Sequence, residues 1–316
     1  MKSNTRRKFL KSAAILPVGM TVGNSSLPKD YTIESNSPKF ESNAKIKLSL
    51  NAWSYNIPLF KYLEGKVGGM SLFDLLDECA QLDLDAVDPT GYFFPGYPDV
   101  PDNQFINNFK RRAFQLGLDI SGTGIRNDFA TADNQKRKAD IALTKRWIEV
   151  AAKLGAPVLR VFAGNKPENH SWDDTSVWIS DALAECAEHG EKYGVLIGVQ
   201  NHGGMLTSAD EVLKILEMAQ SDWLGSVLDT GFFMTPNPYA DIERVIPHAV
   251  NWQVKDLLKD RQGDEIDLAK LISIIRRSNY RGYIPIETLP IPGKENVYDA
   301  HVRVPKLLSA LRKALG

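Results

Sequence analysis

From Lys45 onward, short runs of β-branched and apolar residues alternate with longer stretches whose apolar positions recur every three to four residues. The runs IKLSLNAW, LDAVDP, LDISGTG, PVLRVFA, VLIGVQN, LGSVLDT, VNWQVKD and YIPIETL read as strands. Between them, SLFDLLDECAQL, QFINNFKRRAFQLG, ADIALTKRWIEVAAKLG, VWISDALAECAEHGEKYG, SADEVLKILEMAQ, ADIERVIPHA and LAKLISIIRRSN carry helical periodicity, and AHVRVPKLLSALRKAL closes the chain. Gly117, Gly155, Gly194 and Asn279 stand where helices should stop, because these residue types accept the left-handed conformation of a helix end. The pattern amounts to eight strand–helix units, with no Asn-Gly hairpin turn between neighbouring strands.

Eight parallel units close most simply into a (β/α)8 TIM barrel, and residues 45–316 are a usual length for one. A doubly wound sheet is the competing α/β architecture. It needs a glycine-rich phosphate loop, and the nearest approach is SGTGIRN, which has Asn127 in place of the third glycine. The barrel is the expected fold class, and no nucleotide cofactor is expected with it. Active sites of such barrels gather at the C-terminal ends of the strands. The positions to examine are therefore Asn51, Trp53, Asp88, Thr123, Arg126, Arg160, Phe162, Gln200, His202, Asp229, Gln253, Lys255 and Glu287.

Charge and the N-terminus narrow the function classes. The formal net charge is −1, yet residues 1–26 hold Lys2, Arg6, Arg7, Lys8 and Lys11 and no acid, so the remainder carries −6. That balance disfavours nucleic-acid binding, which rests on Lys and Arg neutralising phosphates. Residues 1–26 have the layout of an export signal, basic residues followed by a short apolar stretch from Ala13 to Val22. Within it TRRKFLK resembles the twin-arginine signal, which implies a periplasmic protein; an amphipathic basic helix is the plainer alternative. Residues 27–44 are polar, rich in Ser, Asn and Pro, and read as a linker. No downstream stretch is long and apolar enough for a stable membrane span in the mature chain. Cys79 and Cys186 both fall within amphipathic helical patterns, where small core fillers are expected rather than a disulfide.

The second half of the chain resembles the sugar phosphate isomerase/epimerase family of xylose isomerase-like barrels. In that family four strand ends supply Glu, Asp, His and Glu around one divalent cation. This sequence offers VQNHGG, VLDTGFF, WQVKD and PIETL in the same order. Asp229 and Glu287 match the pattern residue for residue. Gln200 stands where the first Glu would be, Gln253 where the His would be, and Phe232 where a further His commonly follows the Asp. The resemblance thus implies a metal set of Asp229, Glu287, Gln200 and Gln253. Amide oxygens are acceptable ligands for Mn²⁺ or Mg²⁺, but the reduced charge, offset further by Lys255, implies weak and exchangeable binding.

Each of these residues also has a plainer reading. Gln200 and Gln253 could be hydrogen-bonding barrel fillers, Asp229 a turn residue, and Glu287 the partner of Arg160 or Lys255 inside the barrel. Against that, two acids buried at the ends of different strands are costly unless they are paired or used. His189 and His248 lie in helical stretches, His170 in a long loop and His301 at the start of the last helix, all ordinary structural positions. Trp53, Phe94, Phe162, Trp252 and Phe232 are expected to give the mouth an aromatic lining suited to the apolar faces of a sugar, although core packing explains such rings almost as well. Arg126 and Arg160 would hold an anionic or hydroxyl-rich ligand.

The expected function is that of a sugar isomerase/epimerase-like enzyme, which abstracts a proton beside a carbonyl of a non-phosphorylated sugar or keto-sugar. Glu287 is the expected base, with His202 and Lys255 as further catalytic candidates. Trp53, Arg126, Arg160, Gln200 and Trp252 are the candidates for substrate binding. A lyase or hydrolase acting on 3-keto-glycosides, and a non-catalytic carbohydrate-binding barrel, are the alternatives. The expected partner is a small-molecule carbohydrate and no nucleic acid, with self-association left open.

Overall fold

A computed structural model describes residues 46–258, 265–278, 280–291, 293 and 297–315. The sequence-predicted export signal (1–26), the linker (27–44) and the helix-terminal Asn279 lie outside the described residues. Strand β1 (Ile46–Asn51) ends in a side-chain cap, where Asn51 Oδ1 accepts from the Trp53 amide at 2.9 Å. The chain then turns through Ala52–Tyr55 into helix α1 (Asn56–Leu63). The sequence pattern did not register α1, because eight residues with one fully buried side chain, Leu59, hold too little periodicity.

The remaining elements follow the predicted alternation. Strands β2 (Ala86–Asp88), β3 (Asp119–Ile120), β4 (Thr123–Gly124), β5 (Val158–Phe162), β6 (Leu196–Gln200), β7 (Leu224–Asp229), β8 (Ala249–Lys255) and β9 (Gly282–Glu287) all pair in parallel. Helices α2 (Leu72–Gln81), α3 (Asn103–Gln115), α4 (Asn134–Leu154), α5 (Trp172–Tyr193), α6 (Ala209–Ala219), α7 (Pro238–Val245), α8 (Leu268–Arg277) and α9 (Ala300–Leu315) lie between and after them. The strand order is β3-β2-β1-β9-β8-β7-β6-β5-β4. Its two ends, β3 and β4, are consecutive pieces of the predicted third strand, so the sheet curls round into a (β/α)8 barrel.

The interruption between β3 and β4 has a local cause. Ser121 turns its hydroxyl into the barrel to Ser49 Oγ at 2.6 Å. The Asn251 amide reaches across to donate to Ser121 O at 3.1 Å. A Cβ on Gly122 would meet Asn251 Nδ2 at 2.8 Å, so glycine is needed where that amide crosses.

The helices cover the barrel with apolar stripes. Helix α2 buries Leu72, Leu75, Leu76 and Cys79, a spacing of three, one and three residues that keeps one face inward. Each leucine buried in this way contributes about 1.5–3 kcal/mol relative to leaving it exposed. Its start is fixed by a capping box in which Ser71 and Asp74 exchange side-chain and backbone bonds, and Ser208 with Glu211 repeats the device at α6. Gly155 and Gly194 end α4 and α5 in the left-handed region, as predicted. Cys79 and Cys186 are buried, unpaired core residues. Among the described residues no helix is long and apolar enough to cross a membrane.

Candidate active site

The C-terminal ends of the strands open onto a cavity of about 560 Å³, large enough for a small sugar. Pleat alternation decides which strand residues reach it. On β8 the side chains of Gln253 and Lys255 face the barrel interior, while Trp252 and Val254, of the opposite pleat parity, face the helices. Gln200, Gln253 and Glu287 line the cavity, together with Trp53, Tyr92, Arg126, Arg160, Phe162, His202 and Phe232.

Two asparagine side chains extend the strand ladders beyond their last residues. Asn201 accepts from the Asp229 amide at 2.8 Å and donates to the Asp229 carbonyl at 2.9 Å. Asn127 does the same for Phe162, at 2.9 and 2.8 Å. A primary amide reproduces the donor–acceptor pair of a peptide, so each asparagine fixes a neighbouring strand end as another strand would. Sequence reading placed Asn201 at the end of the predicted strand VLIGVQN and Asn127 in a failed glycine motif. Neither role was visible there, since the partner backbone is 28 and 35 residues away.

At the ends of β7–β9 the charges converge. The Lys255 ammonium lies 2.5 Å from Glu287 Oε1 and 3.2 Å from Asp229 Oδ2. Asp229 Oδ2 also accepts from Gln200 Nε2 at 2.6 Å, and its Oδ1 accepts from the Gly231 amide at 2.8 Å. Gly231 is required for this packing, because a Cβ there would sit 2.6 Å from Lys255 Cδ. Burial pushes the Asp229 carboxyl up to about 6, with Lys255 opposing and Glu287 reinforcing the shift. Burial alone would pull the Lys255 ammonium down, but Asp229 and Glu287 together outweigh it and hold it above its ordinary value. Lys255 is therefore charged at neutral pH.

This arrangement departs from the metal set inferred from the resemblance. Among the described residues no three His, Cys, Asp or Glu side chains converge on one point. More directly, a nitrogen cation already stands between the two carboxylates, and Gln200 presents an N–H donor to Asp229 rather than a ligand oxygen. Two unit charges about 4 Å apart interact by roughly 4 kcal/mol at an effective dielectric near 20, and a dication beside the ammonium would double that repulsion. The donor set as it stands does not fit Mn²⁺ or Mg²⁺. The departure was hidden because spacing shows that Lys255 shares the parity of Gln253, not how far its stem reaches.

On the opposite wall Arg160 of β5 is buried without any ion pair among the described residues. It donates to the Ile125 carbonyl at 2.6 Å and to the Tyr92 hydroxyl at 2.7 Å, and its guanidinium stacks 4.1 Å from the Phe162 ring. Gly124 lets it lie flat, since a Cβ there would be 2.7 Å from the guanidinium. Asp88, at the end of β2, accepts from Asn51 at 3.2 Å. Burial pushes its carboxyl up to about 6, against the pull of Arg160 and the Asn51 bond.

Several expected residues sit elsewhere than expected. Trp252 faces outward and is buried edge-on against Tyr280, with ring centroids 5.6 Å apart, so it cannot touch a ligand in the cavity. Phe94 is likewise core, packed against Trp147 and the α3 phenylalanines. Lys255 is 3% exposed and stands behind Glu287 rather than on the cavity wall. Arg126 is exposed at the rim with its guanidinium over Tyr92. His202 is exposed between Phe162 and Phe232, its ring 4.0 Å from that of Phe232. Tyr92, which sequence reading missed, joins Arg126 and Arg160 under one ring. Its position directly after the β2 end, in PTGYFF, was the available signal.

The chain belongs to the xylose isomerase-like TIM barrel family, whose model matches residues 76–306. No curated protein sequence matches it significantly. Among solved structures it is similar to a 3-keto-D-glucoside 4-epimerase from E. coli, at 13% identity over 85% of this chain and 100% of that one, with a TM-score of 0.68. A D-psicose 3-epimerase from Clostridium cellulolyticum H10 gives 13% identity over 85% and 99% of the two chains, with a TM-score of 0.68. An L-ribulose 3-epimerase gives 16% identity over 85% and 95%, with a TM-score of 0.63. At such identities the likeness establishes the fold.

Proposed function

We propose that this barrel is a sugar isomerase/epimerase-like enzyme that removes a proton from the carbon next to a carbonyl of a non-phosphorylated sugar, with Glu287 as the base. One observation carries the proposal. Of the strand-end acids Asp88, Asp229 and Glu287, Glu287 is the one that lines the cavity, and it is backed by a charged lysine. The sugar-epimerase neighbours named above support the same class. In the proposed step the C–H proton moves to the Glu287 carboxylate, the bonding pair forms a C=C bond, and the carbonyl pair moves onto oxygen as an enediolate. Shift of the hydroxyl proton from the neighbouring oxygen to this enediolate oxygen, formation of C=O at the deprotonated carbon and return of the Glu287 proton to the former carbonyl carbon then complete an aldose–ketose isomerisation. Trp53, Phe162 and Phe232 offer ring surface for the apolar faces of the sugar, and Gln200 and Gln253 offer hydrogen bonds to its hydroxyls.

A second reading is favoured by a specific feature. Gln200, at the end of β6 where a second base would help epimerisation, is an amide that cannot take a proton at neutral pH. One base suffices for β-elimination from a keto-glycoside, in which the enolate collapses and expels the glycosidic oxygen. His202 at the rim is the candidate to protonate that leaving group.

Incubation in D₂O with free sugars, keto-sugars and 3-keto-glycosides, followed by NMR, tests both. Deuterium at the carbon beside the carbonyl supports proton abstraction, and release of the aglycone assigns elimination. Glu287→Gln should lower turnover by roughly 10²-fold or more while binding changes far less. Binding without exchange or product in any case would instead indicate a carbohydrate-binding barrel.

The basic and apolar layout of residues 1–26 supports export to the periplasm as part of the same proposal. Arg6→Lys with Arg7→Lys should leave the protein in the cytoplasmic fraction, and unchanged periplasmic recovery would count against a twin-arginine route.

A further inference from the structure

We infer that the Lys255 ammonium is the resident cation of this site, holding the place between Asp229 and Glu287 that a divalent ion would need, so that the wild-type chain takes no divalent ion there. Three observations lead to it. The ammonium contacts both carboxylates, at 2.5 and 3.2 Å, from a side chain that is 3% exposed. Both Asp229 oxygens are already occupied, by Lys255 and Gln200 on one and by the Gly231 amide on the other. The stem is built in as well as the charge: Gly231 makes room for it, Thr230 Oγ1 accepts from the Lys255 amide at 2.9 Å, and the ammonium faces the Phe232 ring 5.2 Å away. Few of the three ammonium donors are left over for anything else.

The inference stands on this geometry and holds whichever sugar the cavity takes. It has a structural corollary. Shortening Lys255 removes the single positive charge and leaves two carboxylates with the amides of Gln200 and Gln253 beside them. Rotation of the Gln200 amide then presents oxygen, which completes a hard-oxygen set of the type that Mn²⁺ and Mg²⁺ favour.

The test titrates Mn²⁺ into the purified full-length protein, with free Mn²⁺ read by electron paramagnetic resonance. Wild type and Asp229→Asn should behave alike, with no stoichiometric site in either. Lys255→Ala should gain one site at least about ten-fold tighter than anything in wild type, in line with its higher ligand charge. Adding Asp229→Asn to that variant should abolish the gain. A stoichiometric site in wild type that Asp229→Asn removes overturns the inference, as does a folded Lys255→Ala protein that binds no better than wild type. Should Lys255→Ala fail to fold, the comparison of wild type with Asp229→Asn decides alone. No substrate enters the titration, so its outcome is separate from that of Glu287→Gln.

Discussion

The two walls of the barrel mouth bury charge in different ways. At the ends of β7–β9 a lysine sits directly between two carboxylates, and every charge has an opposite charge in contact. At the ends of β2 and β5 an arginine and an aspartate are buried without touching. Arg160 donates through its two terminal nitrogens to a carbonyl and a phenol while its Nε meets no acceptor among the described residues, and Asp88 accepts from an asparagine amide. The first wall concentrates interaction energy on one residue, Lys255, whereas the second spreads it over neutral partners. The difference bears on chemistry too. Glu287 carries its counter-ion behind it and its free face toward the cavity, while Arg160 is committed to holding the Ile125 backbone and Tyr92, and so shapes the wall.

If that contrast is right, Lys255→Met should do the most damage. It keeps the volume of the stem but leaves Asp229 and Glu287 buried side by side, a loss of about 3–5 kcal/mol for an ion pair broken from one side. Chemical denaturation at pH 7 measures it, and a loss under about 1 kcal/mol would mean that solvent, not Lys255, screens the acids.

Arg160→Lys should cost less, about 2–3 kcal/mol, because a point charge cannot reach both the Ile125 carbonyl and the Tyr92 hydroxyl. A Tyr92→Phe variant tests the sharing: combined with Arg160→Lys, its effect should be well below additive. Full additivity would show that the phenol bond is incidental.

Asp88→Asn should be stabilising at neutral pH by about 1–2 kcal/mol, with the sign set by linkage. Its folded carboxyl is raised to about 6, above the usual unfolded value near 4, so the native state binds the proton more readily. Stability from this group is therefore greatest below about pH 4, declines as pH rises toward 6, and stays reduced above it. The gap between wild type and Asp88→Asn should open over that window. A gap that is constant from pH 4 to 7 would show that Asp88 keeps its proton, or its charge, throughout.

The smallest effect is expected from Phe232→Leu. It removes the ring 5.2 Å from the Lys255 ammonium, a contribution of about 0.5–1 kcal/mol. The same change removes the stacking partner of His202, so sugar affinity should fall a few-fold if that pair lines the bound ligand. Calorimetry with a binding sugar reads the second part separately from stability.

By itself the sequence determined the alternation of strands and helices, because apolar periodicity is a local property that neighbouring residues carry together. It placed Asp229, Gln200, Gln253 and Glu287 at strand ends for the same reason, and glycines at 155 and 194 at helix ends. It did not decide which of two adjacent residues faces the barrel. Trp252 and Gln253 are equally plausible by composition, and only the pairing of β7 with β8 sets the pleat that turns the indole outward. Nor did it decide what fills the gap between Asp229 and Glu287. That depends on strands 26 to 58 residues apart in the chain coming into register, on Gly231 leaving a path, and on a flexible stem whose end point is set by the charges it meets. Contacts of this kind are fixed when the barrel closes, since the attraction that selects them becomes strong only once the charges leave water for the lower-dielectric interior.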